Sequence, residues 1–193
     1  MKTVEISIEG TTPLLQHRMD EEALFGLLGA KQKKAKVAEE LTPRDIANKA
    51  AYKDEAGYYI PLEYVVGAFR YTASDYKESN KSRKSLKTVA AGVFRPVADR
   101  AHLLGEDGKP LQNFEVDIRK ATNHTKGAVA VCRPRFDRWR AKFAVNIDDT
   151  VIAVPTAQAI LEDAGKRSGI GSFRVSKGGY FGQFRITEWK EVQ

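Results

Sequence analysis

The chain has 193 residues, 42% hydrophobic and 30% charged, a balance that builds a folded core and excludes general disorder. No run approaches the roughly 18 apolar residues of a membrane span, and the alternation that begins at Lys2, with Glu5 inside it, excludes a signal-peptide core. Cys132 is the single cysteine, so no internal disulfide can form and a reducing, cytoplasmic setting is expected; the net charge of +7 favours polyanionic partners.

Residues 2–8 alternate, with Val4, Ile6 and Ile8 on one side and Thr3, Glu5 and Ser7 on the other, which predicts a half-buried strand ended by Gly10, Thr11, Thr12 and Pro13. Ala23, Leu24, Leu27 and Leu28 give 20–28 a short helical pattern, and 31–36 is a basic polar stretch. Thr42-Pro43-Arg44-Asp45 reads as a helix start with a capping box, and Gly57 as the stop of that helix. Residues 58–61 are extended. Leu62, Val65, Val66 and Phe69 then stand at helical spacing through Tyr71. Residues 74–87 are polar and basic without periodicity and read as an extended loop, and 89–97 as a strand. Residues 106–110 are a turn.

In 114–118 the apolar Phe114, Val116 and Ile118 oppose Glu115 and Asp117, a strand pattern, and 123–127 is a loop tip. Strands are predicted at 128–132 and 141–147, the second with Arg140, Lys142 and Asn146 on its open face, and a short buried strand at 151–154. Residues 155–164 are a helix with Gly165 as its stop, and Phe184 and Ile186 mark a last strand. This order predicts an α+β domain over 1–193, an RRM- or ferredoxin-like antiparallel sheet with helices on one face and basic loop insertions near 74–88 and 119–127.

Charge is uneven along the chain. Acids crowd the first third, whereas 119–142 holds eight Lys or Arg and one acid, Asp137, and 164–187 holds five cations and no acid. Such asymmetry marks an electrostatic footprint. The stretch 169–182 carries five glycines in 14 residues, so its backbone can approach a phosphate or a neighbouring strand closely. It follows a helix and leads into a strand, the reverse of a dinucleotide fingerprint, and no Ser or Thr follows a Gly-Lys pair as a Walker loop requires. Arg174, Lys177, Tyr180 and Phe181 lie among its glycines, with Lys166 and Arg167 just before them. Cations beside stacking faces are what a single strand needs.

The segment 133–142 adds Arg133, Arg135, Arg138 and Arg140 for phosphates, and Phe136 and Trp139 for bases. Its plainer reading buries Phe136 or Trp139 and leaves the arginines on a solvated face. Lys81, Arg83, Lys84 and Lys87 form a candidate flexible clamp. His17, His102 and His124 stand far apart with no acid or cysteine at ligand spacing, so no metal site and no cofactor are expected. The leading expectation is a protein that binds single-stranded RNA or DNA with little sequence preference. Two others stand beside it: a metal-independent endoribonuclease with His17 as general base, and a structural subunit whose basic face meets an acidic protein.

Several segments together resemble the RAMP superfamily of CRISPR-associated proteins. Ile60-Pro61 followed by a helix bearing Gly67-Ala68-Phe69-Arg70 resembles the family's Ile-Pro and Gly-Ala-hydrophobic-Arg motif. Residues 135–147 resemble its basic strand after the central insertion, and 169–186 its glycine-rich loop and closing strand. Ile6-Ser7-Ile8 with Pro13-Leu14-Leu15 is similar to its opening. Leu62, Glu63 and Tyr64 stand where the family has small residues, which marks a distant, stand-alone relative. The resemblance implies an RRM-like fold, binding of a single strand and side-by-side assembly along it. It does not imply catalysis.

Overall fold

The computed structural model describes residues 1–19, 25, 41–78, 84–122 and 127–192. Strand β1 (Lys2–Gly10) follows the alternation in the sequence: Val4, Ile6 and Ile8 are fully buried and the residues between them half-exposed. After it comes β2 (Leu14–Leu15). Helix α1 (Pro43–Lys49) opens on the predicted capping box, in which the Asp45 amide donates to Thr42 Oγ1 at 3.2 Å and the Thr42 amide to Asp45 Oδ2 at 2.9 Å. Strand β3 (Tyr59–Pro61) leads into α2 (Glu63–Thr72), which buries Val65, Ala68, Phe69 and Thr72. A single turn, α3 (Ala90–Val93), precedes β4 (Phe94–Pro96) and β5 (Arg100–His102). The hairpin β6 (Glu115–Thr122) and β7 (Ala128–Phe136) is followed by β8 (Arg140–Ile147), α4 (Val154–Arg167) and β9 (Phe184–Val192).

The main sheet has the order β4-β8-β1-β9, with every neighbouring pair antiparallel. Taking β1, α2, β4, β8, α4 and β9 in chain order, this is the strand–helix–strand–strand–helix–strand plan of ferredoxin-like folds, with the fourth and first strands side by side and the third and second beyond. Helices α2 and α4 pack against each other, and α4 against β9. Phe69 of α2 stacks on Phe94 of β4 with centroids 4.2 Å apart, and Ile160, Leu161 and Ala164 of α4 complete the core over Val4, Ile6 and Val145. Burial of these side chains is the dominant driving force for the layer.

Where one mainly antiparallel sheet is expected, the described residues form three. Beside the main sheet stand β2-β7-β6 and the pair β3-β5. The second sheet forms because β6 and β7 pair with each other along their whole length and β2 turns away from β1 to join them. The predicted strand 89–97 is divided: Ala90, Ala91 and Gly92 take a helical turn, and the strand starts at Phe94. The predicted strand 151–154 does not form. Thr150 bonds back to Asp148, Val151 is half-exposed, and Pro155 draws Val154 into the first turn of α4.

Two glycine stops are also misplaced. Helix α1 ends at Lys49, and Gly57 closes a later turn. Gly165 lies inside α4, where a Cβ would stand 2.1 Å from the Phe184 carbonyl oxygen; it lets the helix seat on β9. In β6 the alternation is as read but its burial is reversed at one end. Asp117 is buried and Ile118 exposed, because the glycine-rich stretch covers the Asp117 side. The helical pattern at 20–28 apart from Phe25, the basic stretch 31–36 and the loop tip 123–126 lie outside the described residues. No helix among the described residues is long and apolar enough to cross a membrane.

Candidate nucleic-acid interface

RRM modules stack bases on the open face of their sheet. Here register places Glu5, Ser7 and Glu9 of β1, Arg140 and Lys142 of β8, and Arg185 and Glu188 of β9 on that face. Glu9 holds Arg140 at 2.8 Å and Arg185 at 2.5 Å, and these two arginines keep its carboxyl below the usual carboxylate range, Arg185 most strongly. Lys142 lies 3.7 Å from Glu5, and Ser7 bonds Glu188. No aromatic ring stands on this face among the described residues. The face is a ladder of compensated charges and offers no stacking platform.

The segment 133–142 is likewise reassigned by burial. Phe136 and Trp139 are each 2% exposed and present no ring face to a base. Phe136 packs between Tyr58 and Phe114, and the Trp139 indole donates to the Thr12 carbonyl at 3.0 Å. Arg135 bonds Asp137, Arg138 bonds Glu106, and Arg140 bonds Glu9. Arg133 alone turns inward.

The glycine-rich stretch has a different character. It leaves α4 at Ser168 and winds against β2: the Ser172 amide donates to the Leu15 carbonyl, the Gly182 amide to the Pro13 carbonyl, and the Ile170 amide to the Gly182 carbonyl, at 2.8, 2.8 and 2.9 Å. Gly182 has φ +68 and a Cβ there would stand 1.8 Å from the Ile170 carbonyl oxygen, so both conformation and space require glycine. Arg174 is half-buried and spends its guanidinium on the loop itself, donating to the Gly171 carbonyl at 2.9 Å and to Ser176 Oγ at 3.1 Å. Phe181 is buried. Tyr180 stacks on it at 4.3 Å while remaining 58% exposed.

The loop thus brings Lys177 and Tyr180 to the surface on a backbone braced by hydrogen bonds. Lys177 has no carboxylate partner among the described residues. Between the loop and α2 lies a cleft of about 260 Å³ lined by Glu63, Tyr64, Gly67, Tyr71, Arg174 and Lys177, in which Glu63 is the one acid among the described residues. Tyr71 is exposed on the α2 wall. Tyr64, two turns earlier on the same wall, is half-buried, its hydroxyl pushed well above the usual range by burial and by Tyr52. From Tyr64 the aromatic surface continues edge-on to Tyr52, then Tyr59, over which Arg100 lies at 4.8 Å. Tyr52, Tyr59, Tyr64 and Tyr71 were not singled out from the sequence. Their only signal there was tyrosine density near the Ile-Pro motif, and proximity to the loop is a tertiary fact.

On its other side the loop meets the second sheet. Arg119 lies over Phe181 at 4.6 Å and near Tyr180 at 5.9 Å, while Arg133 lies over Phe173 at 4.5 Å. His17 continues β2 opposite Arg133 and is exposed at the surface; partial desolvation and the Arg133 charge lower its pKa. Lys166 is exposed beside the loop, while Arg167 pairs with Asp75 at 2.5 Å.

Lys84 and Lys87 stand apart from this cluster. They lie on the segment docked through Leu86, whose amide donates to the Tyr76 carbonyl, and Tyr76 bonds Asp163 of α4. Burial and Asp163 push the Tyr76 hydroxyl up to about 12. Lys81 and Arg83 lie outside the described residues.

No protein-family model and no curated protein matches this chain. Among solved structures, the crystal structure of Cmr6 from Pyrococcus furiosus is similar to it with a TM-score of 0.47 and 10% identity, over 95% of this chain and 97% of that one.

Proposed function

We propose that the protein binds single-stranded nucleic acid along the glycine-rich loop. The observation that carries this reading is the pairing of exposed Lys177 and exposed Tyr180 on one hydrogen-bonded loop, beside a cleft walled by Tyr71 and Tyr64. Cations neutralise phosphates and rings stack bases, and neither contact reads sequence. A cleft that offers the half-buried Tyr64 and the exposed Tyr71 suits unstacked bases better than a duplex, whose bases turn inward. The resemblance of 58–70 and 169–186 to the RAMP superfamily points the same way. Side-by-side assembly along the strand belongs to the same proposal.

Fluorescence anisotropy with labelled single strands and matched duplexes, at several salt concentrations, tests it. The expected result is preference for the single strand and an affinity that falls linearly with the logarithm of salt. Tighter binding to duplex, or indifference to salt, rejects the reading. Matched RNA and DNA strands in the same assay decide between the two sugars.

A further inference from the structure

Arg133 is 6% exposed, and its Nε and Nη1 atoms are buried without a hydrogen-bond partner among the described residues. Buried guanidinium donors are bonded almost without exception, because a charged group that loses water and gains no acceptor is strongly destabilising. The acid positioned to serve it is Asp117, its register partner across β6 and β7. Both Asp117 oxygens, however, are engaged by Arg119 Nε, at 2.7 and 2.9 Å. Two guanidinium groups therefore share one carboxylate, and among the described residues the cluster carries a positive charge in excess. The other acids on this side do not correct that balance: Glu115 is exposed opposite Arg135, and Asp137 holds Arg135.

The covering residue is unusual as well. Phe173 has φ +51, a left-handed backbone that bulky side chains rarely adopt, and its ring lies over the Arg133 guanidinium at 4.5 Å. A ring against the flat face leaves the in-plane N–H edge for bonding. That edge matches two oxygens of a phosphate in a bidentate manner. Arg119 reaches from this cluster to Tyr180, which joins it to the exposed part of the glycine loop.

We infer that Arg133, flanked by Arg119 and His17 and backed by Phe173, is the seat of a single phosphate group, and that the group is a phosphodiester of the strand bound at the glycine loop. The identity of the source rests on the strand-binding reading; the seat itself does not. Inorganic phosphate is the probe for the seat, and a labelled single strand is the probe for the source.

The experiment compares wild type with Arg133→Met and Arg119→Gln. Thermal unfolding is followed in inorganic phosphate against chloride at equal ionic strength, and strand affinity is measured across salt. Phosphate should raise the melting temperature of wild type and not of Arg133→Met. The salt dependence of strand binding should become shallower by about 0.7 in Arg133→Met, the loss of one phosphate contact on a single strand, with affinity about tenfold weaker or more. Arg119→Gln frees Asp117 to turn onto Arg133 and should also abolish the phosphate response; its partly exposed position keeps it informative should Arg133→Met fail to fold. A phosphate response in wild type that both variants retain overturns the seat. If phosphate stabilises wild type alone but no strand binds, the seat stands and the strand-binding reading falls. If strands bind wild type and Arg133→Met with the same salt slope, strand binding stands and the seat's assignment to the strand is wrong.

Discussion

A methyl group at Gly10 measures how firmly Trp139 belongs to the core. A Cβ on Gly10 would stand 2.1 Å from Trp139 Nε1 and 2.3 Å from Cε2, more than 1 Å inside ordinary contact. The indole cannot simply retreat, because its N–H holds the Thr12 carbonyl at 3.0 Å and the Gly10 amide holds the Trp139 carbonyl at 2.9 Å. Gly10→Ala should therefore cost about 1–3 kcal/mol through overpacking, with about 1 kcal/mol more if the indole hydrogen bond breaks. Trp139→Leu removes the ring and should cost about 2–4 kcal/mol, below the range typical of Trp→Ala. In the double variant the added methyl enters the space the indole leaves, so the two costs should fall short of additivity by about 1–2 kcal/mol. Urea unfolding of the four proteins gives the cycle. Trp139→Leu, measured where it is folded, should bind single strands as wild type does. Additive costs would show that the ring does not lie over Gly10, and a tenfold loss of strand affinity would place Trp139 at the interface.

Tyr180→Ala should weaken single-strand binding by about 1–3 kcal/mol, the range for one stacked base, with little change in unfolding midpoint because the ring is exposed; anisotropy and urea titration separate the two. Thr42→Ala removes the α1 cap and should cost about 1 kcal/mol of stability, largely recovered by Thr42→Asn, read again by urea unfolding. Asp54 is held at about 2, below its ordinary 3.8, first by its bond to His102 and then by Arg100. A depressed carboxyl stabilises the fold fully above its ordinary value and loses that contribution as pH falls through the folded one. The stability gap between wild type and Asp54→Asn should therefore be in place at about pH 5 and close on acidification toward pH 2. Light scattering with long and short strands should show several subunits per long strand; one subunit per long strand at saturation rejects side-by-side assembly.

Wherever one element's own spacing decides, the chain could be read directly. The alternation of Val4, Ile6 and Ile8, the helical spacing of Val65 and Phe69, and the capping box at Thr42 and Asp45 each appear in the structure, because period and cap chemistry are local. The glycine-rich stretch was legible as a close-packed loop for the same reason: glycine is required where backbone meets backbone. What the chain alone did not settle was which cations remain free. Residues 119–142 hold eight cations against one acid in sequence, yet in space Glu5, Glu9 and Glu106 arrive from distant segments to hold Lys142, Arg140 and Arg138. Burial was equally non-local: Trp139 and Tyr180 look alike as aromatics between cations, but β1 and the turn after it cover the first, while the second keeps one ring face stacked on Phe181 and remains 58% exposed. Charge compensation and burial depend on distance through space. Only the packing of the second sheet, the glycine loop and α2 around one another decided that Lys177 and Tyr180 face outward and that Arg133 is enclosed, among the described residues, without an acid of its own.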